Sequence, residues 1–178
     1  MRALGVVGLC ALAVGLTACS SDGEGPKTLP AITSSPRASA SPAVSVPPFP
    51  ATKQGAADFV RLYISRLNEV QASGRVGLLR GLSEPTCSAC ARYERSIASY
   101  WAEGSVEGGL LTPQYITTAL VQAQSADVTA NVAVSATSIK DKSGKIVKRY
   151  PADSGVVLNY HLSRVGNGWI VANYQAQT

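Results

Sequence analysis

Apolar residues in the first part of the folded region recur three or four positions apart, which is the period of an α-helix. The set between Gln54 and Ser73 comprises Ala56, Val60, Tyr63, Ile64 and Leu67. Gly74 follows directly, and glycine is the residue that most often ends a helix. The pattern therefore predicts a helix from Gln54 to Ser73.

A second apolar set at helical spacing follows a break at Glu84-Pro85-Thr86. Its members are Cys90, Tyr93, Ile97, Tyr100 and Trp101. Thr86 has a side chain that caps helix starts, so we predict a helix from Thr86 to about Ala102. The residues between the two helices, Arg75 to Leu82, predict a short helix or a turn with its three leucines (Leu78, Leu79 and Leu82) buried.

Beyond Gly104 the apolar residues alternate with polar ones, as in strands that bury one face. Strands are predicted over Tyr115 to Gln124, Val128 to Ala136, Lys145 to Tyr150, Gly155 to Val165 and Trp169 to Tyr174. The apolar faces comprise Val128, Ala130, Val132 and Val134, then Val156, Leu158, Tyr160 and Leu162, then Trp169 and Val171. Turns are expected at Asp141-Lys142-Ser143-Gly144 and at Gly166-Asn167-Gly168.

Helices followed by an antiparallel meander predict an α+β fold. We expect one sheet that curls over the N-terminal helices and buries a single face. The folded part is predicted to be one domain, residues 51–178, which is an ordinary domain size.

The N-terminus has a different pattern, because residues 3–18 carry no charge and follow Arg2. A short basic start, an apolar run and small residues before a cleavage site make a secretory signal. Leu16-Thr17-Ala18-Cys19 matches the lipobox of bacterial lipoproteins, in which the cysteine receives a diacylglyceryl group. Residues 1–18 are therefore predicted to be a lipoprotein signal peptide, and Cys19 the lipidated first residue of the mature protein.

Two alternatives to a lipoprotein remain open at this point. Cleavage after Ala18 without lipidation would give a soluble secreted protein. Retention of the segment as a membrane span is less compatible with its length, since a span needs about 20 apolar residues. Cys10 does not offer a second lipobox, because Leu9 is a poor residue to precede the cut.

Residues 19–50 form a segment of different composition, in which seven of the ten prolines of the chain lie between Pro26 and Pro50. Large apolar residues are scarce there, so ordering would not be repaid by burial. We predict a disordered tether rich in Pro, Ser and Ala that follows the lipidated Cys19 and holds the domain away from the membrane.

The charge of the chain excludes one class of partner. The formal net charge is +5, but the 16 lysines and arginines are scattered. No basic cluster of the kind that binds nucleic acid is present, so nucleic acid is not an expected partner.

The four cysteines divide by position. Cys10 would leave with the signal and Cys19 would carry lipid, which leaves Cys87 and Cys90 as a pair in an oxidising compartment. A structural disulfide is the main hypothesis. A redox-active pair at a helix start remains an alternative, as does a metal site, although zinc needs four ligands and only His161 could add a third.

Several local features together resemble one family. They are the lipobox with its Pro/Ser tether, the helix at Gly55-Ala56-Ala57-Asp58-Phe59, the element Ser83-Glu84-Pro85-Thr86-Cys87-Ser88-Ala89-Cys90, and the ending Gly168-Trp169-Ile170-Val171. This combination resembles an uncharacterised family of actinobacterial lipoproteins that is known as a domain of unknown function. The resemblance implies a nuclear-transport-factor-two-like cone, related to cystatin-like domains. It implies no activity and no functional residues.

Catalytic chemistry has little support in the sequence. His161 is the single histidine, and it is expected on the strand face opposite Leu158 and Tyr160, away from the helices. His161 and Asp153 are therefore weak candidates for a general base. No serine elbow of the Gly-x-Ser-x-Gly type occurs, and no cofactor or metal is expected.

The sequence thus predicts a lipid-anchored protein on the outer face of the cytoplasmic membrane. Its domain is expected to be a non-enzymatic binding module for a protein, a cell-wall component or a small apolar ligand. Two alternatives remain: a cone-fold enzyme of isomerase or hydrolase type with a small apolar pocket, and a thiol–disulfide protein that uses Cys87 and Cys90.

Overall fold

The structure is a computed structural model that describes residues 48–177. The predicted signal peptide, Cys19 and most of the predicted tether lie outside the described residues. Within residues 48–177, no helix is both long enough and apolar enough to cross a membrane.

Helix α1, Lys53–Ser73, agrees with the predicted first helix. The side chain of Thr52 caps its start by accepting a hydrogen bond from Gly55 N at 3.1 Å. Gly74 ends it in the left-handed conformation, with φ of 67°. The apolar face that the sequence indicated is buried, since Ala56, Val60, Tyr63, Ile64 and Leu67 are each at most 1% exposed.

Helix α2, Ser88–Glu103, is capped by Cys87 and not by Thr86 as predicted. The difference arises because Cys87 Sγ accepts a hydrogen bond from Cys90 N at 3.3 Å, which places the cap one residue later. The residues between the helices form turns and no helix, so the turn was the correct alternative. Leu79 and Leu82 are buried there as expected, whereas Leu78 is only partly buried.

Seven strands follow: β1 Gly104–Gly108, β2 Leu111–Val121, β3 Ser125–Val134, β4 Thr137–Asp141, β5 Ile146–Tyr150, β6 Asp153–Val165 and β7 Gly168–Gln177. The predicted turns separate β4 from β5 and β6 from β7. Strands β1 and β4 were not predicted, because each has five residues and too few apolar positions to show an alternation.

The strands form two antiparallel sheets and not the single meander expected from the sequence. One sheet has the order β2-β3-β6-β7, and the other has the order β1-β4-β5. Gly108 and Gly109 both have positive φ, 75° and 72°, so they end β1 and redirect the chain before β2. The helices and antiparallel sheets confirm the α+β class, while the expected curl of the sheet stays a prediction.

The core lies between α1 and the inner face of the four-stranded sheet. The alternation seen in the sequence is confirmed there: Val128, Ala130, Val132, Leu158, Tyr160, Leu162, Trp169 and Val171 are each at most 5% exposed. Phe49, from the predicted tether, also packs against this core. Trp169 Nε1 donates to Pro50 O at 3.1 Å, so the packed part of the chain includes residues just before the expected boundary at Ala51.

Helix α2 fully buries only Cys90 and Ile97, while Tyr93, Tyr100 and Trp101 pack against the core partly buried, and hydrogen bonds add to this attachment. The Tyr93 hydroxyl donates to Leu67 O at 3.2 Å and lies 3.3 Å from Gln71 Oε1. Trp101 Nε1 donates to Gln71 O at 3.1 Å. These contacts fix the angle at which α2 leaves the core.

Tyrosine hydroxyls in the interior differ in whether they have partners. Tyr160 is 1% exposed, and its hydroxyl has no hydrogen-bond partner among the described residues. The Tyr93 hydroxyl, in contrast, makes the contacts to α1 given above.

We therefore expect Tyr160→Phe to leave the free energy of unfolding unchanged or to raise it, because an unpaired buried hydroxyl stabilises nothing. Tyr93→Phe is the matched control and should lower the free energy of unfolding by about 1 kcal/mol, since it removes a hydrogen bond. Urea unfolding of the full chain measures both. If Tyr160→Phe lowers the free energy of unfolding as much as Tyr93→Phe does, the Tyr160 hydroxyl is paired in solution.

Candidate functional site

A groove of about 740 Å³ lies beside the two cysteines of α2, and we call it the bridge groove. It is lined by Val76, Gly77, Leu79, Arg80, Gly81, Ser83, Glu84, Pro85, Cys87, Cys90, Ala91, Glu94, Val165 and Ile170. Its volume lies in the usual range for small-molecule sites, which is roughly 300–1,000 Å³. Most of the lining is apolar, with a few charged groups, which is also typical of such sites.

The floor of the groove is the pair Cys87 and Cys90. Their sulfur atoms lie 1.99 Å apart, which is bonding distance, and their Cα atoms are 5.3 Å apart. Cys87 is 2% exposed and Cys90 is 3% exposed. Because thiol–disulfide exchange needs an accessible sulfur, this burial disfavours the redox hypothesis and favours a structural role.

Glu94 holds the wall of the groove opposite α2. Its Oε1 accepts hydrogen bonds from Gly77 N at 3.0 Å and from Leu79 N at 3.1 Å. A carboxylate that accepts two backbone N–H groups makes charge-assisted bonds, which are stronger than neutral ones. The connection between the helices is thus fastened to the middle of α2.

Strand β7 closes the third side of the groove. Glu84 N donates to Val171 O at 2.9 Å, and Val171 N donates to Leu82 O at 2.8 Å. These bonds pair the connection with the edge of β7, so the walls of the groove are held by backbone contacts on two sides. A site of this kind is formed before a ligand arrives, which lowers the entropic cost of binding.

Two valines on the rim of the groove are unusually exposed for their type. Val76 is 60% exposed and Val165 is 56% exposed. They lie on different elements, the connection after α1 and the end of β6, yet both line the same groove. Exposed apolar residues that converge on one concave surface indicate a binding site more than scattered ones do.

The two candidate general bases do not come together. His161 lies on the outer face of the four-stranded sheet, and Asp153 lies eight residues away at the start of the same strand, about 26 Å at the rise of a β-strand. His161 Nδ1 instead contacts Asp127 Oδ1 at 2.8 Å, on the neighbouring strand β3. The side chains of His161 and Asp127 are about half exposed, so neither faces a closed pocket.

The interior tyrosines do not offer a base either. Burial raises the pKa of Tyr63, Tyr93 and Tyr160, and their proximity to Tyr174 raises it further. Burial also raises the pKa of Tyr174 to about 12. All four hydroxyls therefore stay protonated at neutral pH.

A second pocket, of about 290 Å³, lies where α2 meets both sheets, and we call it the sheet-junction pocket. Its lining includes Gln71, Tyr93, Tyr100, Ile139 and Tyr150. Gln71 is buried, and its Nε2 donates to Gly108 O at 3.1 Å, so its side-chain amide makes a structural hydrogen bond. Three tyrosines, Tyr93, Tyr100 and Tyr150, give this pocket a partly aromatic lining.

Several residues that line the bridge groove were not identified as site residues from the sequence. The element Ser83 to Cys90 was singled out, and it does form one side of the groove. Glu94, Val76 and Val165 were not singled out, because each belongs to a different part of the chain and only the tertiary structure brings them together. Exposed valines next to glycines, as at Val76-Gly77 and Val165-Gly166, were the one clue available.

Comparisons with known proteins bear on the fold alone. No protein-family model matches the sequence, and a search of curated proteins gave no match either. The structure is similar to the intermembrane space region of chloroplast protein ARC6, with a TM-score of 0.54 and 12% identity over 71% of this chain and 97% of that chain. That likeness shows a shared α+β fold.

Weaker likenesses extend to two bacterial proteins. One is a putative dehydratase from the NTF2-like family of Streptomyces avermitilis, at 16% identity and a TM-score of 0.44, covering 67% of this chain and 93% of that chain. The other is an NTF2-like protein with a cystatin-like fold from Novosphingobium aromaticivorans. It also has 16% identity and a TM-score of 0.44, and the match covers 67% of this chain and 79% of that chain. At this TM-score they carry no argument about function.

The state of the two cysteines can be measured by thiol alkylation. We expect no alkylation of Cys87 or Cys90 by iodoacetamide in native protein or in unfolded, unreduced protein, and two additions after unfolding with reductant. Mass spectrometry of the peptide that holds both residues gives the count. Free thiols at both positions before reduction would contradict the bridge.

Proposed function

We propose that the chain is a lipoprotein anchored on the extracytoplasmic face of the cell membrane, and that its domain is a non-enzymatic binding module. Its ligand is a small apolar molecule that lies in the bridge groove. The observation that carries this proposal is the groove itself, since its volume fits such a ligand and its rim exposes Val76 and Val165.

The packing of the interior supports binding at the surface. Between α1 and the four-stranded sheet the largest side chains are fully buried, Trp169 and Tyr63 at 0% and Tyr160 at 1% exposure. A cone filled in this way leaves its ligand sites at the edges, where the helices, the connection and the sheets meet. Both the bridge groove and the sheet-junction pocket lie at such edges.

The anchor rests on the sequence. Leu16-Thr17-Ala18-Cys19 has the form of a lipobox, and a diacylglyceryl group supplies the two acyl chains that stable membrane attachment needs. We also propose that the chain belongs to the actinobacterial lipoprotein family and that its domain has the nuclear-transport-factor-two-like cone fold. The α+β arrangement of two helices and antiparallel sheets is compatible with that cone.

The two alternatives have less support. An isomerase or hydrolase would need an acid or base in an enclosed pocket, but His161 is about half exposed and lines only an open hollow on the outer face of the sheet. A thiol–disulfide protein would need an accessible sulfur, but Cys87 is 2% exposed. Neither alternative is favoured by an observation of its own.

Lipidation is testable by growing cells with an alkyne-labelled fatty acid. We expect the full-length protein to incorporate the label and Cys19→Ala to lose it. Cys10→Ala is the matched control and should keep the label, because Cys10 leaves with the signal peptide. Equal labelling of wild type and Cys19→Ala would contradict the anchor.

Ligand binding in the groove is testable with the neutral apolar fluorophore N-phenyl-1-naphthylamine. We expect Val76→Asp and Val165→Asp each to weaken its binding by roughly tenfold, because a charge at an apolar rim opposes burial of the probe. Both valines are exposed, so the fold should be retained.

Val147→Asp is the control for this experiment, since Val147 is also 60% exposed but lies on β5, outside the groove. It should bind the probe as wild type does. If all three variants bind equally well, or if wild type does not bind the probe, the bridge groove is not the ligand site.

A further inference from the structure

The outer face of the four-stranded sheet has an unusual composition. Three rows of side chains cross it in register: Tyr115, Asn131, Val157 and Gln177; Thr117, Thr129, Asn159 and Gln175; and Leu120, Asp127, His161 and Asn173. Five of these twelve residues are amides and two are threonines. We call this surface the amide face.

The amide face carries no lysine or arginine, although the chain has 16 of them. Its one carboxylate, Asp127, contacts His161 at 2.8 Å. Solvated sheet faces ordinarily keep proteins soluble with charged side chains. The absence of cations from these rows also disfavours an anionic polymer as the partner, since the strongest bonds to phosphate and carboxylate groups are made by lysine and arginine.

A shallow hollow of about 280 Å³ lies at the centre of this face. It is lined by Asp127, Thr129, Asn159, His161, Asn173 and Gln175 together with the backbone of the strands. The bridge groove is formed by other residues, so the hollow is a separate site.

Two pairs of side chains around the hollow are joined by hydrogen bonds, Thr129 with Asn159 and Asp127 with His161. Thr129 Oγ1 donates to Asn159 Oδ1 at 2.8 Å, which leaves the Asn159 amide nitrogen free to donate outward. Gln175 stands beside Asn159 on the neighbouring strand, so two amides share one row. An amide both donates and accepts, as a sugar hydroxyl does.

We propose that the amide face binds a neutral glycan chain. Uncharged donors and acceptors in fixed positions match a polyhydroxylated, uncharged ligand, and the exposed ring of Tyr115 offers an apolar surface against which a sugar ring packs. A protein interface would need an apolar and aromatic centre, whereas the centre of this face is polar. This inference does not depend on the bridge groove or on its ligand.

The test is affinity electrophoresis of the full-length protein in native gels that contain mannan, arabinogalactan or dextran. We expect at least one of these neutral glycans to retard the protein. The double variant Asn159→Ala/Gln175→Ala should bind that glycan roughly tenfold more weakly, because two hydrogen-bonding amides are lost. Gln54→Ala, which removes an exposed amide from α1, is the control and should bind as wild type does.

Three results would overturn the proposal. The first is the absence of retardation by any of the three glycans. The second is equal retardation of the double variant and wild type, with both folded by circular dichroism. The third is a stable dimer in sedimentation that Asn159→Arg dissociates, because a second copy of the chain would then occupy the face.

Discussion

The attachment of α2 is the constraint on which the rest of this structure depends. Helix α1 is held by a continuous apolar face, but α2 buries only Cys90 and Ile97. Its direction is also set by hydrogen bonds of Tyr93 and Trp101 to α1 around Gln71. Hydrogen bonds fix an angle more sharply than apolar contact does, because apolar burial has no preferred direction. Gln71 also reaches Gly108 O, so one side chain joins both helices to the start of the sheets.

Both edge cavities follow from that attachment. Helix α2 forms one wall of the bridge groove and one wall of the sheet-junction pocket. Gly109 contributes as well, since a Cβ atom there would overlap the Gln71 amide. The filled core and the open edges therefore go together, because α1 packs through a continuous apolar face, whereas α2 combines two buried residues and partly buried aromatic side chains with hydrogen bonds.

The sequence predicted those parts of the fold that apolar periodicity determines. Helix α1, the inner faces of β3, β6 and β7, and the turn after Val165 agree with the structure within a few residues. Strands β1 and β4 were missed because each has only five residues, and each pairs with a strand that is distant in the sequence. The cap at Cys87 was misplaced by one residue because sulfur is not a typical capping atom. The bridge groove could not be read from the chain, since Val76, Glu94 and Val165 are brought together only by the position of α2.

We propose that this domain binds an apolar ligand at the bridge groove, while its interior serves only the fold. The most direct measurement is a map of backbone amide shifts by nuclear magnetic resonance, with ¹⁵N-labelled protein and saturating N-phenyl-1-naphthylamine. Binding in the bridge groove should shift the amides of residues 76–94 and 165–170 and leave the amides of β3 unchanged. Shifts centred on Gln71, Ile139 and Tyr150 would place the ligand in the sheet-junction pocket and contradict this proposal.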